Sequence, residues 1–223
     1  MYVKNCIISI QSNFDLNLTK YKYKIILKER LINIDKKYNI IYADPPWNYN
    51  KGVYQDNNRP ERKINEQYNT MTFKELKELP IKNISYNDCA LFLWVTDSHL
   101  EEGLKLIKEW GFKYKTIAFV WIKKTRNGAL CSNVGAWTMK NTEICLLATK
   151  GNMLKYKLKN NIKQLVEAER TIHSKKPDEV RDRIEQLFGN LPRIELFARQ
   201  KVEGWDVWGN EVESDIHISV DKI

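Results

Sequence analysis

A chain of 223 residues, 43% hydrophobic and 11% aromatic, is long enough for one substantial core and short for two full domains. No run approaches the ~18 apolar residues of a membrane span, and the Met1-Tyr-Val-Lys start lacks the basic, apolar, small-residue order of a secretory signal, so a soluble intracellular (cytoplasmic) protein is expected. Lys and Arg exceed Asp and Glu by 37 to 28, a formal charge of +9, which favours a polyanionic partner because neutralised phosphates release counterions.

In chain order, Cys6 to Ile10 and Tyr23 to Leu27 are apolar stretches in a segment, residues 1–36, that reads as an N-terminal extension or cap on a single domain. The pattern sharpens at Ile40-Ile41-Tyr42-Ala43, a buried strand that breaks at Asp44-Pro45-Pro46. Thr72 and Glu75 form a capping box for a short helix that must stop near Pro80. Cys89 to Thr96 is apolar on both alternating faces, as a central strand covered on both sides would be. Asp97 or Ser98 is expected to cap a helix carrying Leu100, Leu104, Ile107 and Trp110, with Gly111 as its stop.

A third strand spans Thr116 to Ile122, and Lys123 to Asn141 reads as a long basic loop of the kind that is usually functional. Strands follow at Glu143 to Thr149 and near Gln164 to Ala168, then a helix from Pro177 to Phe188 ended by Gly189, and a last strand at Arg193 to Ala198. This alternation indicates an α/β domain with a largely parallel sheet. Cys6, Cys89, Cys131 and Cys145 fall singly and His99, His173 and His217 are scattered, so neither a disulfide framework nor a metal site is expected.

Asp44-Pro45-Pro46-Trp47 has two readings. It is a rigid turn after a strand, built from common turn residues, or it is a pair of aimed hydrogen-bond acceptors. The exocyclic nitrogen of adenine is a poor nucleophile because its lone pair is delocalised into the ring. A carboxylate (Asp44) and a backbone carbonyl (Pro45), each accepting one amino hydrogen, would free it, and the two prolines would keep both acceptors aimed at one point. Trp47 could stack on the base or line the pocket rim. The four residues together, directly after an apolar strand and followed by Tyr49, favour the second reading.

The sequence resembles the D-P-P-W adenine-N(6) methyltransferases, the family of the messenger-RNA adenosine methyltransferase and of small bacterial and phage DNA methylases. The resemblance runs from about Tyr38 to Glu211. It rests on ordered matches at Ala43 to Trp47, Tyr68-Asn69-Thr70-Met71, Leu91 to Thr96, Trp121-Ile122-Lys123, Glu143 to Leu146, Ser174 to Glu179, Ile194 to Arg199, Gly204-Trp205 and Gly209-Asn210.

The resemblance implies a Rossmann-like S-adenosylmethionine-dependent methyltransferase fold in permuted order, with the catalytic loop early and the cofactor-binding strand late. It implies cofactor contacts from Glu195, Arg199 and Asn210, and the chemistry agrees, since a carboxylate suits ribose hydroxyls and an amide suits a ring edge. Asp44 would also lie near the sulfonium, and Lys176 either reaches the cofactor carboxylate or is solvated. The chain departs from the messenger-RNA enzyme at Lys201, Val202 and Glu211, where that enzyme has His, Asn and Gln.

Ser174 is expected to cap the helix that starts at Pro177 or to position the loop before it. Tyr68 is a second candidate pocket aromatic. Two basic segments with interleaved aromatics suit a polynucleotide strand from which one base is extruded: Tyr49 with Lys51, Arg59, Arg62 and Lys63, and Lys123 and Lys124 with Arg126, Trp137 and Lys140. The resemblance to compact free-standing methylases points to DNA. RNA modification and a catalytically silent nucleic-acid-binding partner subunit are the alternatives, and a homodimer or a second methyltransferase-like subunit is a possible assembly.

Overall fold

The structure, a computed structural model, describes residues 36–48, 70–135, 137–171 and 175–218. The chain divides into two units, Met1–Lys36 and Lys37–Ile223, and the apolar stretches near Cys6 and Tyr23 lie outside the described residues. The second unit carries strands β1 (Tyr38–Ala43), β2 (Ser85–Val95), β3 (Lys113–Lys124), β4 (Thr142–Lys150), β5 (Leu165–Glu169), β6 (Arg193–Leu196) and β7 (Asp206–Trp208). Its helices are α1 (Phe73–Glu78), α2 (Ile81–Ile84), α3 (Leu100–Glu109) and α4 (Asp178–Phe188).

The seven strands form one sheet in the order β5-β3-β4-β2-β1-β6-β7. β1 is parallel to β2 and β6, β6 to β7 and β3 to β5, while β4 runs against both of its neighbours. The largely parallel α/β domain expected from the sequence is therefore present, with one reversed strand. All the parallel strands end on one edge, the edge at which open α/β sheets bind ligands.

The two-sided apolar pattern of β2 has a direct structural counterpart. Cys89, Leu91, Leu93 and Val95 pack with Leu76, Ile81 and Leu106 of the first three helices and with Trp110 just past α3. Ala90, Phe92 and Trp94 face the opposite side, with Val180, Ile184 and Phe188 of α4. The Thr72–Glu75 capping box forms as expected, and Trp110 Nε1 donates to the Leu76 carbonyl at 2.9 Å, tying α3 to α1.

Four expectations need correction. Neither Asp97 nor Ser98 caps α3: Asp97–His99 is a short 3-10 turn leading into the helix, without a side-chain cap bond. Leu100 is 39% exposed, and the buried stripe of α3 is Gly103, Leu106 and Ile107, continued by Trp110. A side chain at Gly103 would meet Val95 Cγ1 at 2.4 Å, so this glycine sets how closely α3 lies on β2.

The basic loop begins later than expected, because Lys123 belongs to β3 and is buried. Beyond it the chain continues as a hairpin extension with bridges Lys124↔Leu130 and Asn133↔Lys140. The last predicted strand stops at Leu196, because Phe197 turns the backbone at φ 62°. The chain then returns as β7, whose three residues are too few to be read from periodicity. No described helix is long and apolar enough to cross a membrane.

Candidate active site

Asp44 follows the last residue of β1, and the β1–β6 register sets Tyr42 beside Glu195. Both carboxylates therefore stand at the ends of adjacent parallel strands near the middle of the sheet. Side chains alternate along a strand, so Asp44 emerges on the face of Tyr42, the α4 side. There the segment leading into α4 meets it: Lys176 Nζ donates to Asp44 Oδ2 at 2.6 Å and lies 3.2 Å from Glu143 Oε2.

Glu143 is in turn paired with Lys123, which reaches it from the neighbouring strand. Two carboxylates and two ammonium groups thus form one compact, charge-balanced cluster. Its floor is aromatic, with Lys176 5.5 Å from the Trp94 ring centroid and Lys123 5.2 Å from that of Trp121. Trp94 Nε1 donates to the Tyr42 hydroxyl at 2.7 Å, which satisfies the one polar atom of that indole.

Burial governs the titration of the cluster. It pushes the Asp44 carboxyl up, and the Lys176 ammonium offsets only part of the rise. Burial also works against ionised Glu143, but Lys176 and Lys123 prevail and hold its carboxyl below the ordinary value. Burial opposes the Lys176 charge as well, yet Asp44 and Glu143 raise that ammonium above its usual range. A carboxylate left basic beside a fixed cation is suited to receive a proton.

The Asp-Pro-Pro-Trp loop is pinned from several sides. The Pro45 carbonyl accepts the Trp47 N–H at 2.9 Å, and the Pro46 carbonyl accepts the Met71 N–H at 2.8 Å. A carbonyl has two lone pairs, so Pro45 retains one acceptor site. Trp47 is 6% exposed, stacks on His99 with ring centroids 5.4 Å apart, and donates its Nε1–H to the Trp94 carbonyl at 3.2 Å. Its indole is spent on holding the loop. The expectation that Trp47 stacks on a base finds little free surface.

Glu195, in β6, is held by the buried Arg181 of α4, whose Nη1 donates to Oε2 at 2.9 Å. Burial raises the Glu195 carboxyl, with Arg181 opposing. Arg199 lies 3.8 Å from Glu211, and Asn210 is exposed just beyond β7. These residues share the edge of Asp44, brought there by the tight approach of Gly209 to Ala198: a side chain at Gly209 would meet the Ala198 carbonyl oxygen at 2.2 Å.

Of the expected nucleic-acid contacts, Arg126 is exposed, Trp137 is 97% exposed, and Lys140 lies 3.6 Å from Asp97. Lys124 pairs with Glu167 at 3.2 Å, and Lys123 is committed to the central cluster rather than to a loop surface. Tyr49, Lys51, Arg59, Arg62, Lys63, Tyr68 and Ser174 lie outside the described residues. The sequence reading missed the roles of Glu143, Lys123 and Arg181. The available signal was a charged residue at the end of an otherwise apolar strand, as in V-W-I-K and E-I-C-L.

Cys89 and Cys145 are buried free thiols. Among the described residues no group of His, Cys, Asp and Glu is placed to hold a metal ion.

Comparison with known proteins gives one family and a graded set of relatives. The MT-A70 family model matches residues 38–211. The type II methyltransferase M.MunI of a Mycoplasma species is 38% identical over 190 residues, covering 79% of this chain and 78% of that protein. The human N(6)-adenosine-methyltransferase catalytic subunit METTL3 is 29% identical over 191 residues, 84% of this chain but 30% of its own length. The human N(6)-adenine-specific methyltransferase METTL4 is 27% identical over 201 residues, again 84% of this chain and 40% of that protein. With a family model spanning its whole sheet, and with the Asp-Pro-Pro-Trp loop at the sheet's ligand edge, the chain belongs to the MT-A70 family of methyltransferases.

Proposed function

We propose that this chain methylates the exocyclic amino group of adenine in DNA, with S-adenosylmethionine, the methyl donor of MT-A70 methyltransferases, as its cofactor. The observation that carries the reading is Asp44, an Asp carboxylate of raised pKa at the end of a central parallel strand, in a loop whose backbone is fixed on both sides. The choice of DNA is supported by M.MunI, a type II methyltransferase that this chain matches over 78% of its length.

The residues present fit that donor. Carboxylates at Asp44 and Glu195 suit a sulfonium and a ribose diol, and Lys176 suits a carboxylate. When bound, the donor supplies an electrophilic methyl on a positively charged sulfur.

Lys176 occupies Asp44 Oδ2, so Oδ1 is the acceptor for one amino hydrogen of adenine, and the second lone pair of the Pro45 carbonyl takes the other. Holding both hydrogens in fixed directions turns the nitrogen lone pair out of the ring. The proton lost as the N–C bond forms and the S–C bond breaks passes to Asp44, whose buried carboxyl is basic enough to take it. Pro46 and Trp47 keep this pair of acceptors in place.

The test is methyl transfer from labelled donor to matched DNA and RNA oligonucleotides, single- and double-stranded, followed by nucleoside mass spectrometry. N(6)-methyldeoxyadenosine is the expected product, absent with Asp44→Ala. N(6)-methyladenosine from RNA alone would overturn the DNA assignment, and full activity of Asp44→Ala would overturn the mechanism.

A further inference from the structure

Arg181 is fully inside the protein, with its side chain only 5% exposed, yet it touches the proposed cofactor edge through one residue, Glu195. Its two terminal nitrogens are divided between two carboxylates: Nη1 donates to Glu195 Oε2 at 2.9 Å, and Nη2 bonds Asp178 in the first turn of α4. Asp178 is itself 59% exposed. Among the described residues Glu195 Oε1 has no hydrogen-bond partner, although the Glu195 side chain is only 13% exposed. The guanidinium therefore fixes one carboxylate oxygen and leaves the other presented at the strand end.

A buried Arg–Glu pair adds little net stability over a hydrophobic packing of the same volume, so stability alone gives no reason for an arginine here. Burial disfavours an ionised Glu195, and the Asp44 charge works in the same direction. Arg181 opposes both, with Lys175 assisting. A neutral carboxylic acid in that position would offer a ribose diol one acceptor oxygen and one competing donor. The ionised form offers acceptors alone.

We propose that Arg181 is a positioning residue for the methyl donor: it keeps Glu195 ionised and rotated so that Oε1 accepts the hydroxyls of the donor's ribose. This rests on the reading of Glu195 as the ribose ligand. Arg181 itself does not touch the donor, so its influence runs wholly through the charge and orientation of Glu195. Loss of the arginine therefore weakens donor binding most where Glu195 can take up a proton.

The experiment is calorimetric binding of S-adenosylhomocysteine, which keeps the ribose and lacks the sulfonium charge, to the full chain from about pH 5.5 to 8.5. Wild type, Arg181→Met, Arg181→Lys and Glu195→Gln are compared, with thermal melting as the folding control. Arg181→Met should raise Kd by about tenfold to a hundredfold near neutrality, the range of a lost hydrogen bond to a charged group. The gap should widen as pH falls, because removing the cation raises the Glu195 carboxyl further.

Arg181→Lys should recover part of the affinity, and Glu195→Gln should bind weakly with no such pH trend. The 2′-deoxy analogue of the same ligand should bind wild type and Arg181→Met with a much smaller difference. If Glu195→Gln weakens binding while Arg181→Met, or Arg181→Lys should the Met protein not fold, matches wild type at every pH, the positioning role is wrong and the ribose reading stands. If Glu195→Gln binds as wild type does, the ribose reading itself fails.

Discussion

Lys176 lies between two carboxylates, 2.6 Å from Asp44 and 3.2 Å from Glu143, with a side chain only 10% exposed. Breaking a buried pair by removing one partner leaves uncompensated charge and costs about 3–5 kcal/mol. Asp44 keeps 27% of its side chain exposed, so about 3 kcal/mol is the sensible end of that range for Lys176→Met. The pH dependence has a definite sign. Without the ammonium, the Asp44 carboxyl rises further above its unfolded value and Glu143 loses one of the two cations that lower it, so the folded variant binds more protons than the folded wild type as pH falls. The stability deficit of Lys176→Met should therefore be largest near neutrality and shrink on acidification, read as melting temperature against pH. A deficit independent of pH would mean that Lys176 acts by packing alone. In the wild-type protein the same raised Asp44 carboxyl predicts that kcat falls as pH drops through it, since a protonated Asp44 cannot accept the amino hydrogen.

At the scale of elements, the parts that could be read from the sequence are those whose own side chains decide their structure. β1 and β2 announce themselves because both faces are apolar, and α1 because Thr72 and Glu75 close a capping box. The Asp-Pro-Pro-Trp loop was legible for a similar local reason: a buried strand must end where two prolines remove its donors. What remained hidden depends on pairing across the sheet. β7 has three residues and exists through its ladder with β6, and Lys123 meets Glu143 because β3 and β4 bring positions 20 apart in sequence side by side. Gly209 belongs to this second class. Its backbone lies so near Ala198 that a methyl group would sit 2.2 Å from a carbonyl oxygen, while the Ala198 N–H donates to the Trp208 carbonyl at 3.0 Å. Gly209→Ala should force the ends of β6 and β7 apart, lowering stability by about 1–3 kcal/mol as overpacking usually does. It should weaken S-adenosylhomocysteine binding more than Gly103→Ala, whose clash is with a side chain, Val95 Cγ1 at 2.4 Å, on the face of the sheet away from Asp44. Equal affinities in the two variants would show that the β6–β7 edge does not shape the donor site.

Across the whole molecule the excess of nine positive charges lies outside the ion pairs, each of which is neutral. Lys123, Lys176 and Arg181 neutralise interior carboxylates, and Lys124 and Lys140 already have acidic neighbours. The net charge therefore overstates what the described hairpin between β3 and β4 offers to phosphates. Its distinctive feature is apolar: Trp137 is 97% exposed, with Leu130, Val134 and Met139 each more than half exposed nearby in sequence. A wholly solvated indole contributes almost nothing to the fold, so Trp137→Ala should leave the melting temperature and the affinity for S-adenosylhomocysteine unchanged. If the hairpin receives an unpaired base, the same substitution should weaken oligonucleotide binding by about 1–3 kcal/mol, the range for loss of one base–aromatic stack. Charge and stacking separate in a salt titration. Arg126→Ala, which removes one phosphate-neutralising group, should reduce the slope of log K against log salt by about 0.9 on duplex DNA, whereas Trp137→Ala should shift the line without changing its slope. A Trp137→Ala protein that binds DNA as tightly as wild type would exclude the hairpin as a stacking platform and leave substrate capture to the segment between Tyr49 and Gln67.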